Sequence, residues 1–172
     1  MKKLLTVLLI ALVSLSLFAQ GTKESASEDL SLKKIQDKGE FILGLDDSFP
    51  PMGYRDENGE IVGFDIDCAK EVCSRLNVKL VCQPIDWAAK EQELATYNID
   101  CIWNGFTITP ERLNNLTFSD PYVKNAQVCV VKSSSPVNTL ADLKGKNVGV
   151  QAGSSAQDAI ADTEGFEESL KS

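Results

Sequence analysis

A short stretch around Arg112 carries the residues best suited to bind an anion. Residues 99–112 read IDCIWNGFTITPER, an apolar run followed by Asn-Gly and then by the start of a helix. Thr109 is a typical N-cap and Pro110 a typical first helical residue, so free backbone N–H groups are expected there. Arg112 lies in the same first turn, where its charge opposes the helix dipole. Two interpretations stay open: an exposed Arg whose charge is screened, or a cation that binds a small anion such as a carboxylate.

The composition excludes several other kinds of chemistry. The 172 residues include no histidine, which removes His-based triads, His general bases and His metal ligands. The formal net charge of -8 at pH 7 makes nucleic acid an unfavourable partner. The neighbouring acids Asp46 and Asp47 do not by themselves indicate acid–base catalysis, because adjacent loop residues need not face one another. No motif indicates a cofactor or a metal, and we expect neither.

Five cysteines lie at positions 68, 73, 82, 101 and 129, without any C-x-x-C spacing. This spacing disfavours a zinc ribbon or a thioredoxin-like motif. We expect most of these cysteines to be small buried apolar residues. A disulfide stays open as an alternative, because sequence spacing does not give the geometry of a bridge.

The N-terminus has the features of an export signal. Lys2 and Lys3 precede an apolar run from Leu4 to Phe18, which is too short for a comfortable transmembrane helix. We therefore predict a signal peptide over residues 1–20 and a disordered leader over residues 21–29, which are small and polar. A periplasmic or secreted location follows from this prediction.

The elements that must position Arg112 alternate between strand and helix. A helix is expected from Leu30 to Lys38, and Asp65 is expected to cap a later one. The alternating segments are predicted to be Glu40–Leu45, Asp65–Leu76, Val78–Ile85, Trp87–Tyr97 and Ile99–Asn104. The order strand, helix, strand, helix, strand predicts an α/β fold with a doubly wound, mostly parallel sheet.

The second half of the chain begins this pattern again. Gln127–Lys132 and Val148–Gln151 are apolar enough to be strands, and Leu140–Lys144 is expected to be a helical turn. The sequence Gly153-Ser154-Ser155 then predicts a turn into a helix near Ala156. The chain of 172 residues suffices for one ordinary domain of roughly 100–150 residues, so we expect this second unit to be incomplete.

Several motifs resemble those of the solute-binding proteins of polar amino acid ABC transporters, which are periplasmic binding proteins of family 3 and of type II architecture. The motifs are GLDDSFPPMGY, GEIVGFDIDCAKEV, NGFTITPER, FSDPY and LKGKNVGVQAGSSA, in the family's order over about residues 30–161. The resemblance implies two α/β lobes around a ligand cleft. Residues 30–122 would form the first lobe, 123–132 a crossing segment, and 133–172 part of the second lobe.

The resemblance also implies a set of ligand-binding residues. Arg112 would hold the α-carboxylate of an amino acid through parallel hydrogen bonds. Thr107 would offer its hydroxyl, Gly105 its carbonyl to the ligand ammonium, and Ser155 its N–H donors. The side-chain pocket would be formed by Asp46, Phe49, Trp87 and Asn104.

Structural alternatives stay open for some of these positions. Asp46 would equally serve as a loop carboxylate that caps a turn. Phe49 and Trp87 would equally serve in core or lid packing. Asp65 and Asp67 are interpreted as helix-capping and first-turn acids that do not contact the ligand.

The function implied by the resemblance is extracytoplasmic capture of a polar or charged amino acid for an ABC transporter permease, without catalysis. The family's later acidic residue and second crossing are not assignable before Ser172, so a fragment, an early-ended product or half of a split protein are all considered. We expect a monomer if the protein is complete, and association if its apolar surface is left uncovered. The alternatives are a sensory protein, a non-functional truncated fragment, or an enzyme of the same fold such as a dehydratase or lyase.

Overall fold

The computed structural model describes residues 29–172. The predicted signal peptide and all but the last residue of the predicted leader lie outside this range. The described residues fall into two units, one that ends at residue 34 and one that spans residues 35–172. Helix α1, Ser31–Lys38, confirms the first predicted helix and runs across that boundary. Between residues 29 and 172, no helix is long and apolar enough to cross a membrane.

A parallel three-stranded sheet forms the centre of this unit. Its strands are β1 (Glu40–Leu45), β5 (Lys79–Pro84) and β6 (Cys101–Ile102), in the spatial order β5-β1-β6. Strand β1 pairs with β5 along its whole length, from Glu40 opposite Lys79 to Leu45 opposite Pro84. The predicted α/β fold with a parallel sheet is thus confirmed. A small antiparallel sheet contains β2 (Ser48–Phe49), β3 (Gly53–Arg55) and β4 (Ile61–Val62).

Helix α2 (Phe64–Leu76) links β1 to β5 and covers the sheet. The core between them consists of four fully buried apolar residues: Leu43, Leu45, Ile66 and Ala69. Burying side chains of this size stabilises the fold by roughly 1.5–3 kcal/mol each for the leucines and isoleucine. Helix α2 ends at Asn77, whose left-handed φ of 56° closes the helix.

The link between β5 and β6 is more broken than predicted. The segment expected to form one helix from Trp87 to Tyr97 is a 3-10 turn at Trp87–Ala89 followed by helix α3, Lys90–Ala95. Tyr97 has a φ of 60°, which stops the helix before the predicted end. Strand β6 is also shorter than the predicted Ile99–Asn104. The Asp100 carboxylate accepts a hydrogen bond from the N–H of Ile42, so a side chain replaces a backbone ladder contact there.

The second half of the chain departs most from the prediction. Helix α4 (Pro110–Leu113), a 3-10 turn at Leu140–Leu143 and helix α5 (Ser155–Ala161) lie where helical structure was expected. A last 3-10 turn spans Glu167–Ser169. The predicted strands over residues 127–132 and 148–151 are wrong, because neither stretch belongs to a sheet of the described residues 29–172. Residues 148–151 come closest to pairing, since the Val148 N–H donates to the Ser172 carbonyl at 2.8 Å. An apolar extended segment without a partner forms no ladder.

Candidate functional site

Three polar or aromatic side chains follow the carboxyl ends of the three parallel strands. Asp46 comes directly after β1, Trp87 shortly after β5, and Asn104 shortly after β6. Because the strands are parallel, these ends meet at one edge of the sheet. That edge is where open α/β sheets bind ligands.

A cleft of about 500 Å³ opens at this edge. Its volume falls in the range of pockets that enclose small molecules. The structure brings all eight predicted site residues to the walls of this one cleft: Asp46, Phe49, Trp87, Asn104, Gly105, Thr107, Arg112 and Ser155. Whether each of them contacts a ligand stays a prediction.

Arg112 is buried, with only 8% of its surface exposed, so the interpretation of an exposed and screened Arg is wrong. Its place is set by the local sequence: the Thr109 hydroxyl caps α4 by accepting the Arg112 N–H at 3.3 Å. The guanidinium donates to the carbonyl of Thr107 at 3.0 Å and to that of Gly153 at 3.3 Å. It also lies 4.5 Å from the centre of the Phe106 ring. These contacts hold the guanidinium rigid at the cleft.

The charge of Arg112 is incompletely paired. Its one ion pair within residues 29–172 is with Glu91, at 3.9 Å from Nε to Oε1, and the Glu91 side chain is 44% exposed. A half-exposed carboxylate at this distance compensates a buried cation only in part. The site is therefore suited to receive an anion from solution.

Hydroxyl and amide groups connect the two sides of the cleft. The Ser155 hydroxyl donates to Thr107 Oγ1 at 3.0 Å, and Asn125 Nδ2 donates to the same oxygen at 2.7 Å. Gln127 Nε2 donates to Ser155 Oγ at 2.8 Å. Thr107 and Ser155 thus lie close together although 48 residues separate them in sequence.

Asp46 both caps a turn and lines the cleft. Its Oδ1 accepts hydrogen bonds from the N–H and the hydroxyl of Ser48, at 2.9 and 2.6 Å. Its Oδ2 accepts from Gln151 Nε2 at 2.6 Å. Burial acts to raise the pKa of this carboxyl, but the hydrogen bonds from Ser48 and Gln151 outweigh burial and lower the pKa below 3.8. Asp46 is therefore a carboxylate at neutral pH, and the turn-capping alternative is confirmed without removing Asp46 from the cleft.

The aromatic residues divide between packing and exposure. The Trp87 ring meets the Phe106 ring edge-on at 5.7 Å between centroids, so part of its surface is used in packing. Phe49 is 45% exposed and offers a free apolar face to the cleft. Stacking against a ligand is open to Phe49 and to the cleft-facing surface of Trp87.

Asn104 and Gly105 form the floor where β6 ends. Asn104 is 3% exposed, and its Oδ1 accepts the N–H of Asp46 at 3.2 Å. Its Nδ2 has no hydrogen-bond partner among the described residues. Gly105 has a φ of +59°, a conformation that favours glycine, and its N–H donates to Asp65 Oδ2 at 2.7 Å.

Asp65 corrects the expectation of a helix cap. Helix α2 begins at Phe64 with Gly63 at the N-cap position, so Asp65 lies inside the helix and is fully buried. Besides the Gly105 N–H, it accepts the Tyr122 hydroxyl at 2.8 Å. Burial raises the pKa of this carboxyl, and the two hydrogen bonds partly oppose the shift. Asp65 therefore supports the cleft by holding the backbone of Gly105. Its position at the start of a predicted helix did not indicate this role.

Two more residues were missed by sequence reasoning. Lys90 is 4% exposed and donates to the carbonyl of Gly153, which directly precedes the cleft residue Ser154. Gln151 reaches Asp46 from 105 residues along the chain. The sequence indicated only that Lys90 is a cation within the predicted helix Trp87–Tyr97. The contacts of Lys90 with Gly153 and of Gln151 with Asp46 join residues that are distant in sequence.

The described residues hold no group of three or more acidic, Cys or His side chains that would bind a metal ion. Between residues 29 and 172 the cysteines are all free thiols. Burial raises the pKa of the Cys101 thiol to about 12, so this thiol is inert at neutral pH.

The cleft presents a buried guanidinium, a carboxylate, hydroxyl groups and aromatic faces. This arrangement is suited to binding a small zwitterion.

Comparisons with known proteins agree with this chemistry. Residues 41–165 match the sequence profile described as bacterial extracellular solute-binding proteins, family 3. The chain is 35% identical over 154 residues to the arginine-binding extracellular protein ArtP of Bacillus subtilis, a match that covers 90% of this chain and 57% of ArtP. The chain thus spans little more than half the length of that relative.

Two solved structures are similar in sequence and fold. One is a histidine-bound substrate-binding protein of an ABC uptake transporter from Streptococcus pneumoniae, 44% identical, with a TM-score of 0.73 over 81% of this chain and 55% of the other. The second is the arginine-bound form of domain 1 of TmArgBP, carrying a Phe-to-Trp substitution. It is 44% identical, with a TM-score of 0.52 over 54% of this chain and 71% of that domain.

Proposed function

Because the chain belongs to family 3 of the bacterial extracellular solute-binding proteins, we propose that it binds a free polar or charged amino acid and delivers it to an ABC transporter permease. The names of the similar proteins, arginine-binding and histidine-bound, favour a basic amino acid among the candidates. These relatives are named as binding proteins, so the family assigns the chain to solute binding outside the cytoplasm, periplasmic or secreted, and to no catalytic reaction. The chain covers 57% of ArtP, so both ligand binding and delivery to a permease are proposed for this chain and are not transferred from ArtP.

The observation that carries the proposal is the buried guanidinium of Arg112 at the sheet edge. It faces a cleft of about 500 Å³ with its charge incompletely paired. An amino acid carboxylate would receive parallel hydrogen bonds from it, at ~1.5–3 kcal/mol for each charge-assisted bond. Two or three such bonds supply much of the about -8 kcal/mol of a micromolar complex.

The other cleft residues extend the proposal to the rest of the ligand. Thr107 and Ser155 would add donors to the carboxylate, and the Gly105 carbonyl would accept from the ammonium group. Asp46, ionised at neutral pH, would meet a basic or polar ligand side chain by exchanging its contact with Gln151. The remaining pocket walls would be Phe49, Trp87 and Asn104.

The lobe assignment rests on the same resemblance. We propose that residues 30–122 are the first lobe, 123–132 the crossing segment and 133–172 part of the second lobe. The arginine-bound form of domain 1 of TmArgBP supports a site whose main contacts come from a first lobe. All the predicted site residues of this chain except Ser155 precede residue 123.

The proposal is tested by thermal melts of the purified chain with each of the twenty amino acids and with cystine. A ligand that binds only the folded state stabilises it by about 2.7 kcal/mol at one hundred times its Kd, which raises the melting midpoint. We expect a selective shift of the melting midpoint for one amino acid or one chemical class, and we expect basic amino acids to give the largest shift.

Two variants decide whether the shift arises at the cleft. Arg112→Lys keeps the charge but loses the planar fork, and we expect it to lose most of the ligand-induced shift. Arg75→Lys is the matched control, because Arg75 is an exposed residue of α2 paired with Glu71. A cooperative melt that no amino acid shifts, or a shift that Arg112→Lys leaves intact, would contradict the proposal.

A further inference from the structure

Lys90 is buried beside the cleft without a carboxylate partner. It is the first residue of α3 and only 4% exposed. Its ammonium donates to the carbonyl of Gly153 at 2.9 Å and to that of Trp87 at 3.2 Å. Within residues 29–172, no acidic oxygen lies within ion-pairing distance of it. Its partners are thus two backbone carbonyls rather than a counter-ion.

This position is unfavourable for a lysine in three ways. Burial removes the ammonium from water, the start of a helix repels a cation, and Arg112 lies nearby. Burial, and then Arg112, lower the pKa of Lys90, while Glu91 and Asp158 act in the opposite direction. The rings of Trp87 and Phe106, at 5.4 and 5.8 Å, offer partial compensation through their faces.

Lys90 holds the turn at Gly153, 63 residues further along the chain, through its hydrogen bond to the Gly153 carbonyl. Arg112 donates to the same carbonyl, at the longer distance of 3.3 Å. Gly153 has a φ of +66°, and a Cβ built on it would lie 3.2 Å from the Cα of Ala88, so the turn is seated directly against the segment before Lys90. The next two residues, Ser154 and Ser155, line the cleft.

We propose that Lys90 is a positioning residue for ligand binding, which fixes the Gly153 carbonyl and thereby holds Ser154 and Ser155 against the Arg112 side of the cleft. Lys90 does not line the cleft and acts through Gly153 and Trp87. With Arg112 it also gives this side of the cleft two buried cations, which an anionic ligand group compensates. The inference rests on the proposed function and extends it to a residue outside the cleft wall.

The first test needs no ligand. Hydrogen–deuterium exchange by mass spectrometry compares the full chain with Lys90→Met, which keeps the side-chain length but loses the charge and the donors. In Lys90→Met we expect the amides of residues 150–157 to exchange about tenfold faster or more, since a charge-assisted hydrogen bond is lost, and those of β1 to be unchanged. Lys90→Arg restores a cationic donor and is expected to restore most of the protection.

The second test measures Kd by calorimetry with L-arginine and L-histidine as probes. Lys90→Met is expected to weaken the binding of the preferred probe by about tenfold or more, and Lys90→Arg by about threefold or less. Lys70→Met is the matched control, because Lys70 is an exposed lysine of α2 that does not line the cleft. Where Lys90→Met shows no cooperative melt, Lys90→Gln, which keeps a neutral donor, replaces it.

The outcomes separate this inference from the proposed function. Unchanged exchange over residues 150–157 in Lys90→Met overturns the inference. Faster exchange with unchanged Kd for both probes also overturns it, because the turn then has no bearing on binding. If the unmodified chain binds neither probe, the proposed function fails for these ligands and the positioning role fails with it, while the exchange data still report whether Lys90 holds Gly153. Faster exchange together with weakened binding, both restored in Lys90→Arg, supports the inference.

Discussion

Residues 40–104 and residues 123–172 both contain apolar runs separated by polar turns, yet they are organised differently. In the first region, β1 has a hydrogen-bonded partner on each side, and its core residues Leu43 and Leu45 are fully buried. In the second region, Val128 and Val130 are 77% and 89% exposed, and the buried apolar residues are Leu143 and Phe166.

The difference shows that an apolar run is a necessary signal for a strand but not a sufficient one. Residues 127–132 read QVCVVK and carry as strong a strand preference as β1. A strand forms only where a second strand satisfies its N–H and C=O groups and a covered face buries its side chains. Within residues 29–172, β1 has both and residues 127–132 have neither.

The largest expected effect compares one leucine from each region. Leu43→Ala removes a fully buried side chain from the core under α2, and we expect it to lower the free energy of unfolding by about 2–5 kcal/mol. Leu143→Ala removes a side chain that is 6% exposed but lies outside the core cluster of buried apolar residues, and we expect a loss below about 2 kcal/mol. Urea unfolding monitored by circular dichroism measures both.

Equal losses of unfolding free energy in Leu43→Ala and Leu143→Ala would contradict the comparison, because they would mean that the second region packs as tightly as the first. A second pair, Ile66→Ala and Phe166→Ala, repeats the comparison with side chains of different shape. Phe166 is the larger residue, so a smaller loss at that position would argue strongly that packing density, not side-chain size, separates the regions.

The next effect concerns Asp65 of the first region, which accepts hydrogen bonds from Gly105 and Tyr122. Asn at this position presents an NH2 group where the carboxylate accepts a hydrogen bond from Tyr122 or Gly105. We expect Asp65→Asn to cost about 1–3 kcal/mol, as for a buried hydrogen bond left unmade. Asp67→Asn is the matched control, since Asp67 is an exposed acid two residues away on the same helix.

The stability change of Asp65→Asn should also depend on pH. Burial raises the pKa of Asp65 above 3.8, so the folded state binds its proton more tightly than the unfolded state does. Proton binding to Asp65 therefore stabilises the folded state fully below pH 3.8, and this stabilisation is lost as pH rises through the folded-state pKa. The stability of the unmodified chain relative to Asp65→Asn should therefore decrease from pH 4 upward and then level off. A difference that is constant or grows with pH would contradict the assignment.

Sequence reasoning predicted what is encoded locally. The cap at Thr109 and Pro110 and the helical turn at Leu140–Leu143 each depend on residues within a few positions. Arg112 was indicated by its place at a helix start, and the resemblance to a known family added the other seven predicted residues that line the cleft. It did so because it transferred a three-dimensional arrangement that spacing alone does not contain.

What could not be predicted depends on partners that are distant in sequence. Asp65 contacts Gly105 across 40 residues, and Lys90 contacts Gly153 across 63. Each looked like an ordinary residue at a helix start. Their burial is decided by which segments the fold brings together, and no local pattern reports that a carboxylate or an ammonium will lose its water.

A smaller effect tests how closely the Gly153 turn is seated. Gly153→Ala places a Cβ 3.2 Å from Ala88 at a positive φ, so the variant pays both conformational strain and close contact. Gly145→Ala has a similar φ of +70° with nothing within 4 Å of the new Cβ, so it isolates the strain. We expect roughly 1 kcal/mol for Gly145→Ala and more for Gly153→Ala, measured by thermal unfolding. Equal losses would show that the turn is not held against Ala88.

The smallest expected effect uses two threonines that cap helical turns, one beside the cleft and one in the second region. Thr109 accepts the Arg112 N–H, and Thr139 donates its hydroxyl to the Asp142 carboxylate at 2.9 Å. Thr109→Ala is expected to cost about 1 kcal/mol of stability, and Thr139→Ala a similar or smaller amount. The two variants should differ in binding, because only Thr109 orients the turn that carries Arg112. Amino acid affinity should fall in Thr109→Ala and stay unchanged in Thr139→Ala, as measured by calorimetry at matched folded fraction. A parallel loss of affinity in both would mean that binding follows overall stability rather than the placement of the guanidinium.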